Sequence, residues 1–521
     1  MNISTRFSNA KLMKRVMARA IVCSMLLVLP SCGIPPLRQA ERGPALPEEF
    51  HGATNSGAAN PENGAASSEN SSQLSIEEFY NDPLLTSLID QALIGNRELK
   101  ILEEEVQLAR NEVLARQGAY LPFLTIGAGG GLDKYSRFSL EGASLRDDPY
   151  RPGKFLPNPL PNLGAGLNLS WQLDIWRQLR NARDAAQQRY IGVAERRNYF
   201  VTHLVAEIAE NYYGLMALDK RIENLDKTIE LQEKSYEIAK SRKEAGRGTE
   251  LAVQRFQADV RKNQSEKLIV KQEIVEVENR INFLANRFPQ SVERVSGGFF
   301  DLTLHKLDTG VPSQLLQNRA DIRQAERELA ATGLDVLSAR ARFYPAVTIT
   351  GGVGFEAFNP AYIFTNPGQA LVASVAGGVV APLINKKAIQ ADYMSANAKQ
   401  LQAVYNYERV ILNAFTEVIN RISKVENYGK SIEVKRLQLA SLEASVDSAT
   451  KLFLNARVEY VEVLLTQRDL MEARMVLIET KREQLSAIVN AYQALGGGVV
   501  SAQPAPLPPP RERVPELLPP P

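Results

Sequence analysis

The stretch VYNYERVILNAFTEVINRISKVENYGKSIEVKRLQLASLEASVDSATKLF, residues 404–453, decides the fold. Every seventh position is apolar: Val404, Ile411, Val418, Val425, Ile432, Leu439, Val446 and Phe453. A seven-residue repeat keeps one apolar stripe turned toward a partner helix, and here charged residues recur among the remaining positions. No proline interrupts the run, so the helix extends outward over 386–456. At about 1.5 Å per residue that is about 105 Å, longer than any globular core.

The same pattern occurs earlier, with Ile208, Leu215, Ile222, Ile229 and Tyr236 on sevens inside a predicted helix over 176–245. Pro122 and Pro345 each close a helix and open a strand, and Gln257 and Gln467 fall at matching points of the helices that follow. Duplication is the simplest account: a first repeat over 84–289 and a second over 313–498, joined by a segment over 290–312. In each repeat two shorter helices, 84–119 with 249–288 and 313–342 with 459–495, together match the long one. This predicts a shaft of antiparallel helices stacked in tandem, turning at Gly246-Arg247-Gly248-Thr249 and at Arg457-Val458-Glu459.

Each repeat also carries two strands. Ala165, Leu167, Leu169, Trp171 and Leu173 alternate with small or polar residues, as do Val347, Ile349, Val353 and Phe355. Segments of about ten residues with this alternation suit a transmembrane β-barrel, but four strands cannot close one, because the smallest barrels have about eight. Either several copies share a barrel or a small soluble sheet caps the coiled coil.

The termini set the compartment. Arg6, Lys11, Lys14, Arg15 and Arg19 precede an apolar run, Ala20 to Pro30, too short to span a bilayer, which reads as a signal peptide over 1–31. Leu29-Pro30-Ser31-Cys32 is similar to a bacterial lipobox, making Cys32 the predicted lipid-attachment residue. Residues 32–83 read as a lipidated tether and 499–521 as a Pro-rich tail. The chain has 61 basic and 59 acidic residues, and five of the basic ones leave with the signal peptide. The faint basic excess is therefore no argument for nucleic acid. Both cysteines lie in the first 32 residues and the three histidines are far apart, which leaves the body without a disulfide framework or a Cys/His metal or nucleophile pattern. No catalytic residue, metal or cofactor is expected, apart from the covalent lipid.

With these elements in order, the sequence resembles the lipidated efflux type of the TolC-like outer-membrane factor family over residues 32–498. The resemblance rests on Pro47 and Phe50, Asp82-Pro83-Leu84-Leu85, Ala92-Leu93 with Asn96, Ala115-Arg116 before Leu121-Pro122, and Trp171-Gln172-Leu173-Asp174-Ile175-Trp176. In the second repeat it rests on Arg319 to Glu326, Ala339-Arg340-Ala341 before Tyr344-Pro345, and Ala494 to Gly498. It implies a mainly α protein with transmembrane β: a homotrimer whose twelve-stranded barrel stands on a helical periplasmic tunnel. Implied partners are a periplasmic adaptor, an inner-membrane pump and the outer membrane, with no nucleic acid. The implied role is passive exit of small molecules in tripartite efflux; the alternatives are a type I protein-secretion component and a non-conducting coiled-coil scaffold.

The resemblance also names candidate residues. Glu462 matches a family acid at the closed tunnel end, with Leu465, Arg457 and Glu459 beside it as a periplasmic gate, and Arg247 or Arg457 as the cation pairing with Glu462. Gly246, Arg247, Gly248 and Thr249 form the implied adaptor-contact hairpin, and Trp171 is a candidate aromatic at the membrane interface. The sequence departs from the family at Ala320, at Ile34-Pro35-Pro36, and at the second hairpin, which reads one residue shorter than the family pattern.

Overall fold

The structure, a computed structural model, describes residues 34–41, 43–47, 50, 71–147, 149–150, 153–295, 297–302, 304, 312–382, 386–455 and 457–498. In chain order the elements are α1 (Ile76–Tyr80), α2 (Pro83–Gly95), α3 (Arg97–Ala119), β1 (Phe123–Asp133), α4 (Leu140–Asp147), β2 (Leu160–Leu173), α5 (Gln178–Glu244) and α6 (Glu250–Leu284). There follow α7 (Leu315–Asn318), α8 (Ala320–Ala341), β3 (Ala346–Ala357), α9 (Pro360–Thr365), α10 (Pro367–Ala370), β4 (Leu371–Val380), α11 (Lys387–Leu454) and α12 (Tyr460–Ala494). The described residues divide into two compact units, one within 34–40, 111–188 and 329–403, the other within 41–110, 189–328 and 404–498.

The first unit holds one antiparallel sheet in the order β1-β2-β3-β4, leaving β1 and β4 as its edges. Its apolar face is open: Ile126 is 84% and Val375 88% exposed. Gly166 and Gly354 pair across β2 and β3, where a Cβ on Gly354 would come within 2.6 Å of the Ala165 carbonyl oxygen. Only glycine allows that approach.

The second unit is helical. Its main core gathers Leu85, Ile89, Tyr212, Leu215, Met216, Phe299 and Tyr492, and α1 docks on it by stacking Phe79 on Tyr492 at 3.9 Å between centroids. Two helices flank α5 in succession: Arg197 pairs with Glu103 of α3 at 3.0 Å, and farther along Arg221 pairs with Glu273 of α6 at 2.8 Å. Tandem stacking is thus observed, with one correction. The helices expected over 84–119 and 313–342 each break, at Asn96 and at Arg319. Asn96 caps the Leu99 N–H and donates to the Leu284 carbonyl, while Arg319 donates to the Ala494 carbonyl. At both breaks the side chain ties a helix start to the end of the distant helix stacked on it. The two positions are equivalent in the repeat, being separated by the same interval as Pro122 and Pro345.

The repeat is closer still at the hairpins. α5 and α11 end at Glu244 and Leu454, α6 and α12 begin at Glu250 and Tyr460, and they end at Leu284 and Ala494, a constant offset of 210 residues. The two turns are therefore equal in length in this chain, whatever the second one lacks against the family pattern. Among the described residues no helix is long and apolar enough to cross a membrane.

Candidate functional site

The two hairpin turns are built alike. The Arg247 N–H donates to the Arg242 carbonyl at 2.8 Å and the Arg457 N–H to the Leu452 carbonyl at 2.9 Å, bonds that close the last turn of each long helix. Gly246 has φ +71°, the left-handed conformation such a closure favours. A Cβ on Gly248 would meet the Lys243 nitrogen at 2.9 Å. Thr249 caps α6 by accepting from the Ala252 N–H at 3.3 Å, and Lys243 pairs with Glu250 across the turn. Glu459 holds the same cap position on α12 without a side-chain cap bond.

Arg457, Glu459, Glu462 and Leu465 are exposed at the second tip. Arg457 and Glu459 lie in the turn before α12, and Glu462 and Leu465 in its first two turns. Among the described residues of one chain no ion pair joins Glu462 to Arg457 or Arg247. The cation that does connect the hairpins is Arg242. It donates to the Phe453 carbonyl oxygen at 2.6 Å and lies 4.5 Å over the Phe453 ring. Beside it, Ala239, Val253 and Phe256 form a small core against which Tyr460 and Leu464 pack. One turn farther in, buried Gln467 donates to Ser235 at 2.9 Å, and Asn263 to Gln232 at 2.8 Å. Sequence reasoning marks Gln467 only as a repeat position and misses Arg242, whose partner depends on which helix face meets the second hairpin.

A family model described as outer membrane efflux protein matches residues 88–287 and 311–497. The chain belongs to this family. Its two matched segments correspond to the two repeats. The efflux protein is 26% identical over 425 residues to the cation efflux system protein CusC of Escherichia coli, covering 81% of this chain and 87% of the relative. It is 25% identical over 424 residues to the probable outer membrane lipoprotein SilC of Salmonella typhimurium, covering 81% and 87%. Its fold is similar to that of the open state of the MtrE outer membrane channel of Neisseria gonorrhoeae, with TM-score 0.75 and 22% identity over 89% of this chain and 98% of that one.

In the sheet-bearing unit of the efflux protein, the half-buried Trp171 donates its indole N–H to the Tyr120 carbonyl at 3.1 Å. Trp176 is the more exposed of the two, 46%, while stacking on Tyr344 and donating to the Pro345 carbonyl at 2.8 Å. A partly exposed ring with its polar edge satisfied by protein suits an interface, so Trp176 joins Trp171 as a candidate. Cys32 lies outside the described residues, as do the signal peptide and the tail.

Proposed function

We propose that this outer-membrane efflux protein is the exit duct of a tripartite assembly. Three copies share one barrel of twelve strands, and their paired helices enclose a periplasmic tunnel. A periplasmic adaptor docks at the hairpin tips, with Gly246, Arg247, Gly248 and Thr249 in its contact surface, and an inner-membrane pump supplies the energy. The observation that carries this reading is the four-stranded sheet with two open edges and an exposed apolar face. Unpaired strand edges have no partner in a bilayer, so copies must complete one another.

A lipid on Cys32 fits the same arrangement. Ile34, two residues after Cys32 in the sequence, packs against Val336, Phe343 and Tyr393 of the sheet-bearing unit. The name of SilC as an outer membrane lipoprotein supports the same reading.

At the tunnel end three copies bring three Glu462 carboxylates and three Leu465 side chains to one constriction, with Arg457 and Glu459 at its rim. A ring of carboxylates favours cations. Native mass and single-channel conductance of the purified protein test the proposal: a trimer that conducts, with cation preference reduced by Glu462→Gln, is expected. A trimer that never conducts would leave the scaffold alternative standing. Unchanged selectivity in the variant removes Glu462 from the gate.

A further inference from the structure

Charge in the sheet-bearing unit is gathered at one end of the strands, the end where the helices join. The strands themselves carry only Asp133 and Glu356, both toward the loop end. The segments adjoining the helix end, 116–122, 174–184, 340–345 and 381–387, carry eight basic and two acidic side chains. Just beyond them Glu112 pairs with Arg116 at 2.7 Å and Asp392 with Arg342 at 2.6 Å. The surplus is densest over 174–184, where three arginines meet two aspartates.

Both aspartates are already engaged. Asp174, its side chain 3% exposed, caps α5 by accepting from the Leu179 and Arg180 N–H groups at 2.9 Å. Asp184 accepts from Arg183 Nε at 2.8 Å, and Arg183 also donates to the Tyr120 hydroxyl at 3.1 Å. Arg177 reaches Asp184 only at 3.6 Å and Arg180 reaches Asp174 only at 4.0 Å, and their side chains are 62% and 50% exposed. Arg177 also sits at φ +59°, a left-handed conformation that glycine or asparagine adopts at lower cost. The backbone there gains nothing from an arginine, so the residue is accounted for by its charge.

Aromatic and apolar groups adjoin the same arginines. Exposed Trp176 stacks on Tyr344, and Arg180 lies 5.8 Å from the centre of the Tyr120 ring. Ser338 donates to the Gln178 carbonyl at 2.9 Å, which brings the end of α8 beside this segment. Exposed Ile175 links the cations to the open apolar face of the sheet, which ends here at Leu173 and its partner Val347.

We propose that Arg177 and Arg180 bind the phosphate of an anionic phospholipid in the periplasmic leaflet of the outer membrane, with Trp176 against its glycerol and upper acyl chains. The inference rests on the reading of the sheet as part of a membrane-spanning barrel. In that setting the apolar face meets acyl chains, and the helix end of the strands lies at headgroup depth. Guanidinium groups bind phosphate through paired N–H donors, and tryptophan is favoured at that depth. A lipid held there fixes how deep the sheet sits in the bilayer.

Tryptophan fluorescence of the full-length protein in vesicles tests the site, because Trp171 and Trp176 are the only tryptophans of the chain. Trp171→Phe leaves Trp176 as sole reporter. Vesicles of phosphatidylcholine with a minor share of phosphatidylglycerol are prepared with quenching bromines on the acyl chains of one lipid or of the other. Phosphatidylglycerol is expected to occupy the shell of Trp176 with a preference of about fivefold for each arginine engaged, weakened by high salt. The unsubstituted chain, with both rings reporting, should show the same preference diluted. Arg177→Gly with Arg180→Gln keeps the left-handed turn and should abolish the preference; lysine at both positions should keep part of it. Equal quenching by the two lipids, or a preference that survives loss of both arginines, overturns the site. A folded trimer in which neither lipid quenches Trp176 overturns the barrel reading beneath it.

Discussion

Replacing Arg242 by Ala removes a cation that ties the two hairpin tips of a chain. Its guanidinium donates at 2.6 Å to the Phe453 carbonyl oxygen and stacks 4.5 Å over the ring of the same residue. A hydrogen bond from a charged donor contributes about 1.5–3 kcal/mol, and a partly exposed cation–π contact about 0.5–1 kcal/mol. Arg242 is half-buried, which argues for the lower ends, and about 2 kcal/mol follows for the pair. That corresponds to about a thirtyfold rise in the population of chains whose second tip has left the first. Amide hydrogen exchange of residues 457–467 reads this local opening directly. Arg242→Ala should accelerate exchange there by about thirtyfold while leaving the core around Leu215 and Tyr492 unchanged. Phe453→Leu, which keeps the carbonyl, should show only the smaller cation–π share, and the two substitutions should be non-additive. Exchange unchanged in Arg242→Ala, or additive effects in the double variant, would refute the clasp.

Three further outcomes follow from buried contacts of the helical unit. Arg294, its side chain 12% exposed, bonds Asp219 at 2.7 Å and Glu278 at 2.6 Å; Arg294→Met strands two carboxylates and should cost about 3 kcal/mol, read as a lower urea midpoint, and an unchanged midpoint would contradict it. In Gly497→Ala the new Cβ would lie 2.2 Å from the Tyr492 ring, itself stacked on Phe79; a lower melting temperature, equivalent to about 2 kcal/mol, is expected, and wild-type melting would show that the ring yields freely. Burial, with Arg436 nearby, holds the Lys481 ammonium below its ordinary pKa, so the unfolded chain binds its proton more tightly. The resulting destabilisation is full below the depressed value and fades as pH rises toward 10.5; stability should gain across that window in the wild type and not in Lys481→Met, and parallel pH profiles would dismiss the effect.

How far the sequence could be read depended on whether a side chain's partner was local. The heptad positions from Val404 to Phe453 are all buried or half-buried, because a periodic apolar stripe needs only some helix to face. The alternation over Ala165 to Leu173 and over Val347 to Phe355 was legible for the same reason, and these residues lie in β2 and β3. The helix breaks were not, although Gly95-Asn96 is a local stop signal, because Asn96 and Arg319 take their decisive partners from Leu284 and Ala494, far along the chain. Arg242 escaped notice on similar grounds: an arginine near a helix end reads as solvated until its face is known. The pair Gln257 and Gln467 shows the deeper limit. Both are visible in the sequence as equivalent positions, yet one is 2% exposed and the other lies open, because equivalence within a repeat does not specify which helix comes to face each position. The same ambiguity holds for strands, whose alternation predicts a barrel but cannot count the copies that close it. A chain whose four-stranded sheet leaves both of its edges open carries in one subunit the surfaces that further copies complete.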